Sequence, residues 1–497
     1  MMLTNNGQLL IARNETASLC LLPKMANRHG LVTGATGTGK TVSLQVIAES
    51  LSALGVPVFI TDIKGDVSGL AKAGADNPKI RSRVDEMGLE ADGYAFHGSP
   101  VCFWDIFGKD GHPLRTTISE MGPLLLSRIL DLNDTQSGVL QLLFRIADDN
   151  GLLLLDLKDL RKLTEYVADN RAEFSKTHGN LAPATLGAIQ RGLIGLEDQG
   201  GDVFFGEPAL DVFELMRRIQ GQGVVNIMAA DRLMQSPRVY ASFLLWLMSE
   251  LYETLPEAGD LDMPKLVLFF DEAHLLFSNA PKALVEKIEQ VVRLIRSKGV
   301  GIFFITQNPA DIPESVLAQL GNRIQHALRA YTPKEQKAVR AAADAFRANP
   351  AFKTEDAITA LGVGEALVSL LDEKGIPAMV ERAKMLPPEG QIGPLTPDER
   401  AALIQKSQIY GQYEREIDRE SAYEILTKRV LDTAAAEEEA KTEKARGKAK
   451  PQSGGVMGEL VADFAKKTQQ SITRNVANQV GRSLVRGLLG SLFGGKK

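Results

Sequence analysis

The run Gly34, Ala35, Thr36, Gly37, Thr38, Gly39, Lys40 and Thr41 constrains this chain more than any other segment. It fits G-x-x-x-x-G-K-[ST] and lies between an apolar strand pattern, HGLVTG, and a helical pattern, SLQVIAESLSALG, closed by Gly55. Glycines there let successive backbone N–H groups turn inward around phosphate oxygens, and the helix start adds its positive dipole end. Lys40 is then suited to the β- and γ-phosphates of ATP, and the Thr41 hydroxyl to Mg2+. A dinucleotide fingerprint is the rival, since Asp62 lies about twenty residues downstream, where a ribose-binding acid sits. The loop does not read G-x-G-x-x-G, however, and Lys40 has no role in such a site.

The flanking pattern continues as alternating strands and helices. After HGLVTG come the strands PVFITD and VCFWDIF, then GVVNIMAA, KLVLFFD, GVGIFFIT and RIQHALRA, with the helices SFLLWLMSELYETL and ALVEKIEQVVRLIRSKG between them. Alternation of this kind predicts a mostly parallel α/β sheet covered on both faces. Residues 111–220 read differently: apolar positions recur at three-and-four spacing, which predicts an inserted helical subdomain, with Asp134 as N-cap of its second helix. The expected organisation is a short β-rich lead-in over 1–28 and a core in two parts, 29–110 and 221–395, split by that insertion. Polar helices follow over 396–433, then a charged low-complexity linker over 434–456, not expected to fold. The last segment, 457–497, reads as a basic amphipathic helical tail.

Chemistry-bearing residues cluster where these strands end. The apolar run Val58 to Ile60 stops at Asp62, Lys64, Gly65 and Asp66, and KLVLFF stops at Asp271-Glu272-Ala273-His274. Such an acid pair suits Asp271 to holding Mg2+ and Glu272 to acting as general base toward the attacking water. GIFFIT ends in Gln307, an amide suited to sensing the γ-phosphate, a role Thr306 or Asn308 could share. A turn or helix cap explains Asp62, Gln307 and the acid pair as well, so each reading stays open here. The letters DEAH also name a box in helicases built from two tandem domains, but only one such domain is legible.

Composition narrows the class without choosing the client. The net charge of −5 over 497 residues favours neither nucleic acid nor its exclusion. Cys20 and Cys102 lie far apart without metal-ligand spacing and read as buried reduced thiols. No signal-peptide pattern and no run of about 18 apolar residues is present, so the expected compartment is the cytoplasm.

Taken in order, the phosphate loop from Gly34, D-I-K-G-D from Asp62, D-E-A-H from Asp271, R-S-K-G-V-G-I-F-F-I-T-Q-N from Arg296 and L-G-V-G-E-A-L-V-S from Leu361 resemble the HerA/FtsK branch of RecA-like ATPases. The likeness spans roughly residues 8–395, extends to the RGLLGSLFG tail, and is greatest to the HerA-like bacterial group. It implies a RecA-like P-loop NTPase core and a homo-oligomer, a hexameric ring that couples ATP hydrolysis to translocation or unwinding of DNA or, in some relatives, movement of protein. By the same resemblance Asp62, Lys64 and Asp66 belong near the nucleotide or the neighbouring subunit. A transition-state arginine is expected from the next subunit; Arg296 matches the family's R-K-x-G best, with Arg293 and Arg323 as the other candidates. Archaeal HerA proteins carry a substantial N-terminal β-barrel that supports nuclease binding; about 28 residues precede the loop's strand here, which leaves a nuclease partner in doubt.

The tail carries apolar residues at four-residue steps from Leu460 to Leu492, with Lys466, Lys467, Arg474, Arg482 and Arg486 on other faces. It suits membrane contact, a nucleic-acid-binding arm or docking on a neighbouring subunit. Three functions are carried forward: a DNA translocase or helicase, a protein-moving ATPase of secretion or conjugation character, and a nucleotide-gated scaffold.

Overall fold

The computed structural model describes residues 7–277 and 282–448. Its centre is a twelve-stranded sheet in the order β2-β1-β14-β13-β12-β3-β11-β10-β4-β9-β5-β6. The strands are β1 (Leu9–Arg13), β2 (Ser18–Leu21), β3 (Gly30–Thr33), β4 (Val58–Asp62), β5 (Val101–Asp105), β6 (His112–Pro113), β9 (Val225–Ala229), β10 (Leu266–Phe270), β11 (Val300–Thr306), β12 (Asn322–Gln325), β13 (Glu365–Ser369) and β14 (Glu381–Met385). A small separate hairpin, β7 (Arg218–Ile219) with β8 (Gln222–Gly223), precedes β9. From β12 to β6 every pairing is parallel; from β12 out to β2 every pairing is antiparallel.

The central strands are buried on both faces, and alternate residues feed different cores. Val32, Ile60, Phe269 and Phe303 pack with Leu44, Ile47 and Leu51 of the helix Lys40–Ala53. Leu31, Phe59, Leu268 and Phe304 face the other way, into a core shared with the helix Pro237–Thr254 and the helices of the insertion. A buried polar tie crosses this sheet. Asn226 on β9 accepts the Trp104 indole N–H at 3.0 Å and donates to the carbonyls of Val58 and Leu215, so its whole side chain is satisfied.

Several sequence expectations need correction. In the β-rich lead-in, β1 and β2 complete the antiparallel edge, with Ala12 opposite Met385. The first core segment runs on past residue 110, since His112–Pro113 still pairs with β5. Asn133, not Asp134, caps the helix Asp134–Asp149, because its side chain accepts the Gln136 amide while Gln136 returns the bond to the Asn133 N–H. Cys20 is only part-buried, whereas Cys102 is buried. The linker expected over 434–456 is helical in its first part, within Ala422–Lys448. Alanine, glutamate and lysine are strong helix formers, and pairs such as Glu437 with Lys441 lie one turn apart. The tail over 457–497 lies outside the described residues.

The described residues through Lys428 form one compact unit that includes the helical insertion, and those from Arg429 to Lys448 fall outside it. Among the described residues no helix is long and apolar enough to cross a membrane.

Candidate nucleotide site

Register brings the functional residues to one edge. Phe304 pairs with Phe270 and Phe270 with Thr61, which sets the ends of β10 and β4 abreast, while Thr33 pairs with Thr306, so β3 and β11 run two residues further in the same direction. Gly34 and Gln307 therefore leave the sheet as one pair and Asp271 and Asp62 as another, two residues earlier, all at the carboxyl edge where open α/β sheets place ligands.

The phosphate loop is built against a second layer of backbone. Ala35 donates its amide to the Ala327 carbonyl at 2.8 Å, and the Gly364 amide donates to the Thr38 carbonyl at 3.0 Å. Two glycines are dictated by this packing. A Cβ on Gly34 (φ 151°) would stand 2.5 Å from the His326 Cβ, and one on Gly39 (φ 115°) 3.3 Å from the Gly364 nitrogen. Lys40 is buried at the helix start, its Nζ donating to the Gly34 and Ala35 carbonyls at 2.6 and 3.0 Å. Burial first, then the Lys64 charge, lowers its pKa, while Glu272 and Asp271 oppose. The ammonium thus already sits in the loop that it would share with phosphate.

The acid edge is a connected network. Glu272 has a left-handed backbone (φ 46°), a strained setting for a residue other than glycine, and its buried carboxylate meets Lys64 Nζ at 2.7 Å. Gln307 Nε2 donates to the same carboxylate at 3.3 Å, and His274 Nδ1 lies 3.3 Å from it. Asp271 accepts the Glu272 amide at 2.9 Å on Oδ1, while its Oδ2 is buried without a partner, as is Asp66 Oδ1. Burial pushes the Asp271 carboxyl up to about 6, with Lys64 opposing. Burial likewise raises the Asp66 carboxyl, with Lys64 and the neighbouring Thr41 hydroxyl opposing. Unsatisfied buried carboxylate oxygens next to a hydroxyl are the donor set a hard divalent cation fits.

Other expected residues lie elsewhere or do something else. Both Asp62 oxygens are occupied by the amides of Asp66 and Val67, at 3.2 and 3.1 Å, so Asp62 shapes the D-I-K-G-D turn and Lys64 is what that turn presents. Asn308 caps its own short turn through Ala310, and Thr306 is buried, leaving Gln307 as the amide that faces Glu272. Arg296 precedes β11, at the amino edge of the parallel strands, near His29 and away from the phosphate loop of its own chain. Arg323 is tied to three backbone carbonyls, of Leu317, Leu320 and Ala345. Arg293 is exposed on the same approach to β11 as Arg296.

Sequence reading missed His326. Its Nδ1 reaches the Glu365 carbonyl at 3.0 Å, which requires an N–H there, so Nε2 accepts the Ser43 hydroxyl at 2.9 Å. The ring braces the loop from behind, joining the helix Lys40–Ala53 to β13. It also missed Arg329, which with Thr36, Gln307 and Lys334 lines a cleft of about 510 Å³ on one side of the loop. A lone histidine or arginine in RIQHALRA carries no spacing signal; only the parallel pairing of β12 with β3 brings them here.

The model of the family described as helicase HerA-like, C-terminal, matches residues 7–497. The chain is similar to the DNA double-strand break repair helicase HerA of Sulfolobus acidocaldarius, 22% identical over 366 residues, covering 72% of this chain and 65% of that one. The protein of the same name from Sulfurisphaera tokodaii is 22% identical over 347 residues, covering 69% and 62%. The chain thus spans less than two thirds of the length of these curated relatives. Among solved structures, the bacterial conjugative coupling protein TrwBdeltaN70 in complex with sulphate aligns with a TM-score of 0.49 at 14% identity, covering 77% of this chain and 92% of that one. VirB4 of Thermoanaerobacter pseudethanolicus aligns with a TM-score of 0.47 at 14% identity, covering 80% and 99%.

Proposed function

This chain belongs to the HerA-like C-terminal helicase family, and from that premise we propose that it is a Mg2+-dependent ATPase that works as a homo-oligomeric, hexameric ring and moves or unwinds duplex DNA. The observation that carries the reading is the placement of Glu272, a strained and buried carboxylate level with the phosphate loop and coupled to Lys64 and Gln307. A purely structural acid has no need of such a setting.

In this reading the backbone of Gly34, Ala35, Thr36, Gly37, Thr38 and Gly39 cradles the phosphates, and Lys40 exchanges the Gly34 and Ala35 carbonyls for phosphate oxygens. Thr41 and Asp271, with Asp66 beside them, would hold Mg2+, which supplies charge neutralisation between the β- and γ-phosphates. Glu272 orients the attacking water and takes its proton, with Gln307 fixing the carboxylate's orientation. Arg296, at the opposite edge of its own sheet, can contribute to hydrolysis only across a subunit boundary, which supports a ring as the working form. Duplex DNA as the client is supported by the name that its Sulfolobus acidocaldarius relative carries. The reading sets the protein in the cytoplasm, where two unpaired thiols stay reduced.

Steady-state ATP turnover, measured with and without duplex DNA at two salt concentrations, tests it. Stimulation by DNA that fades as salt rises is expected, because phosphate contacts release counterions. Turnover indifferent to DNA would move the client to protein. Binding of ATP without turnover would leave a nucleotide-gated scaffold.

A further inference from the structure

The phosphate loop has a second cleft, of about 430 Å³, running from Lys40, Thr41 and Asp66 past Val42 and Gln45 to a rim formed by Val363 and Ile392. Both rim residues are large aliphatics left open to solvent, Val363 at 74% and Ile392 at 51% exposure. Exposed singly, neither needs explaining; together on the rim of a phosphate-binding cleft they form an apolar mouth to a polar site. We infer that this mouth grips the base of the bound nucleotide, with the purine ring held between the Val363 and Ile392 side chains. The inference rests on the ATPase reading and adds to it the part of the substrate that the phosphate loop does not touch.

Three observations carry it. The first is direction. The cleft on the other side of the loop is lined by Thr36, Gln307, Asn308, Arg329 and Lys334, and Lys64 and Asp66 line the second cleft beside Lys40 and Thr41. The groups around Glu272 thus bound both clefts next to the loop, where the γ-phosphate belongs. A triphosphate anchored on Lys40 then sends its ribose and base the other way, along the helix start at Val42 and out toward the aliphatic rim.

The second is anchoring. The two rim loops come from distant parts of the chain, yet each is bonded to the phosphate-loop unit. The Gly364 amide donates to the Thr38 carbonyl at 3.0 Å, and Arg83 donates to the Val363 and Gly364 carbonyls at 3.3 Å each. On the other side, Gln45 Nε2 donates to the Gln391 carbonyl at 3.1 Å, and Glu49, one turn further along the same helix, accepts the Gly390 amide at 2.8 Å. The rim is therefore fixed relative to Lys40, which is what a base contact must be if it is to lower the entropy cost of binding.

The third is chemistry. Both Gln45 Nε2 hydrogens are already committed, to Glu49 and to the Gln391 carbonyl, so this side chain has no donor left for the base edge. The Val363 and Ile392 side chains on this lining are aliphatic, and aliphatic faces recognise a flat ring by dispersion and water exclusion.

The test is calorimetric titration of the full-length protein and of a Val363→Ala/Ile392→Ala double variant with two probes, ATP and inorganic tripolyphosphate. Both side chains are more than half exposed, so the double variant retains its core. The expected result is a loss of about tenfold in ATP affinity, from two truncated apolar contacts, with tripolyphosphate affinity unchanged. Equal ATP affinity in the two proteins, with ATP still bound, overturns the base grip and leaves the ATPase reading standing. Equal losses for both probes overturn it too, because the rim then acts only through the phosphate loop. Failure of the unaltered protein to bind either probe overturns both readings together.

Discussion

Lys64 and Glu272 meet across neighbouring strands β4 and β10, Nζ to Oε1 at 2.7 Å, and the contact sets the protonation state of the candidate base. Burial alone pushes the Glu272 carboxyl up, but the Lys64 ammonium and the Gln307 amide more than offset it, and the net direction is down. Asp271, one residue earlier, goes the other way, its burial winning. Two adjacent carboxyls with pKa values driven apart are the arrangement that assigns separate roles to each. Lys64→Met is therefore expected to move the acid limb of the pH profile of ATP turnover to higher pH, and Lys64→Arg to restore it. A limb that stays in place in Lys64→Met would show that the pair does not govern the base.

Glu272→Gln keeps the shape of the side chain and its contact with Gln307 but cannot take a proton. Turnover is expected to fall by about 10²- to 10⁴-fold, the usual contribution of a positioned general base. ATP binding should persist in this variant, because Glu272 lies beyond the loop that carries the phosphates. Lys40→Ala is the contrast, losing binding itself. Equilibrium binding of a fluorescent ATP analogue, run beside steady-state turnover, separates the two, and unchanged turnover in Glu272→Gln would remove the mechanism.

How much of this was legible in the sequence divides along physical lines. Residues Gly34 to Thr41, Asp271-Glu272 and Gln307 were readable because each follows an apolar strand run, and parallel strands buried on both faces must end at a common edge. Asp62 was readable as a strand-end acid, but whether its oxygens face ligand or backbone depends on the turn, and here the Asp66 and Val67 amides take both. Likewise Asn133 and Asp134 are equally good caps by type, and only the reciprocal bond with Gln136 selects the first. The antiparallel edge, in which β1 pairs with β14 across nearly the whole chain, has no local signature at all. His326 was invisible for the same reason: its partners Ser43 and Glu365 are distant in sequence.

His326 gives the next prediction. The buried ring satisfies the Ser43 hydroxyl and the Glu365 carbonyl and packs on Gly34, so His326→Ala leaves both polar partners and a void behind the phosphate loop. A cost of about 2–4 kcal/mol in unfolding free energy is expected, the sum of a cavity and lost buried hydrogen bonds. Ser43→Ala removes one bond and no volume, and should cost about 1 kcal/mol. Urea denaturation followed by circular dichroism gives both values. Equal costs for the two variants would mean that the ring is not the brace.

Stability should fall between about pH 6.5 and pH 8, an uncommon sign for an acidic protein. Burial raises the carboxyl of Glu49 to about 7, and that of Asp62 to about 7, against offsetting backbone hydrogen bonds. A carboxyl raised in the folded state contributes stability that is fully present below its unfolded pKa and is lost as pH rises through its folded pKa. In the unfolded chain both groups are already ionised at pH 6.5, so over this window only the folded state gives up protons, and folding weakens. His97, raised chiefly by its hydrogen bond to Glu389, acts in the same direction. Burial lowers His29 and His326 to about 4, and these oppose at more acid pH, because the unfolded imidazoles bind protons first. Between about pH 4.5 and 6.5 the two sets oppose each other, and the net decline emerges once the unfolded imidazoles have also lost their protons. Melting temperatures measured from pH 5 to 8 in matched ionic strength check it. Glu49→Gln, which cannot ionise, should flatten the decline above pH 6.5 even where it lowers the melting temperature throughout. A decline of unchanged steepness in that variant would assign the effect to other groups.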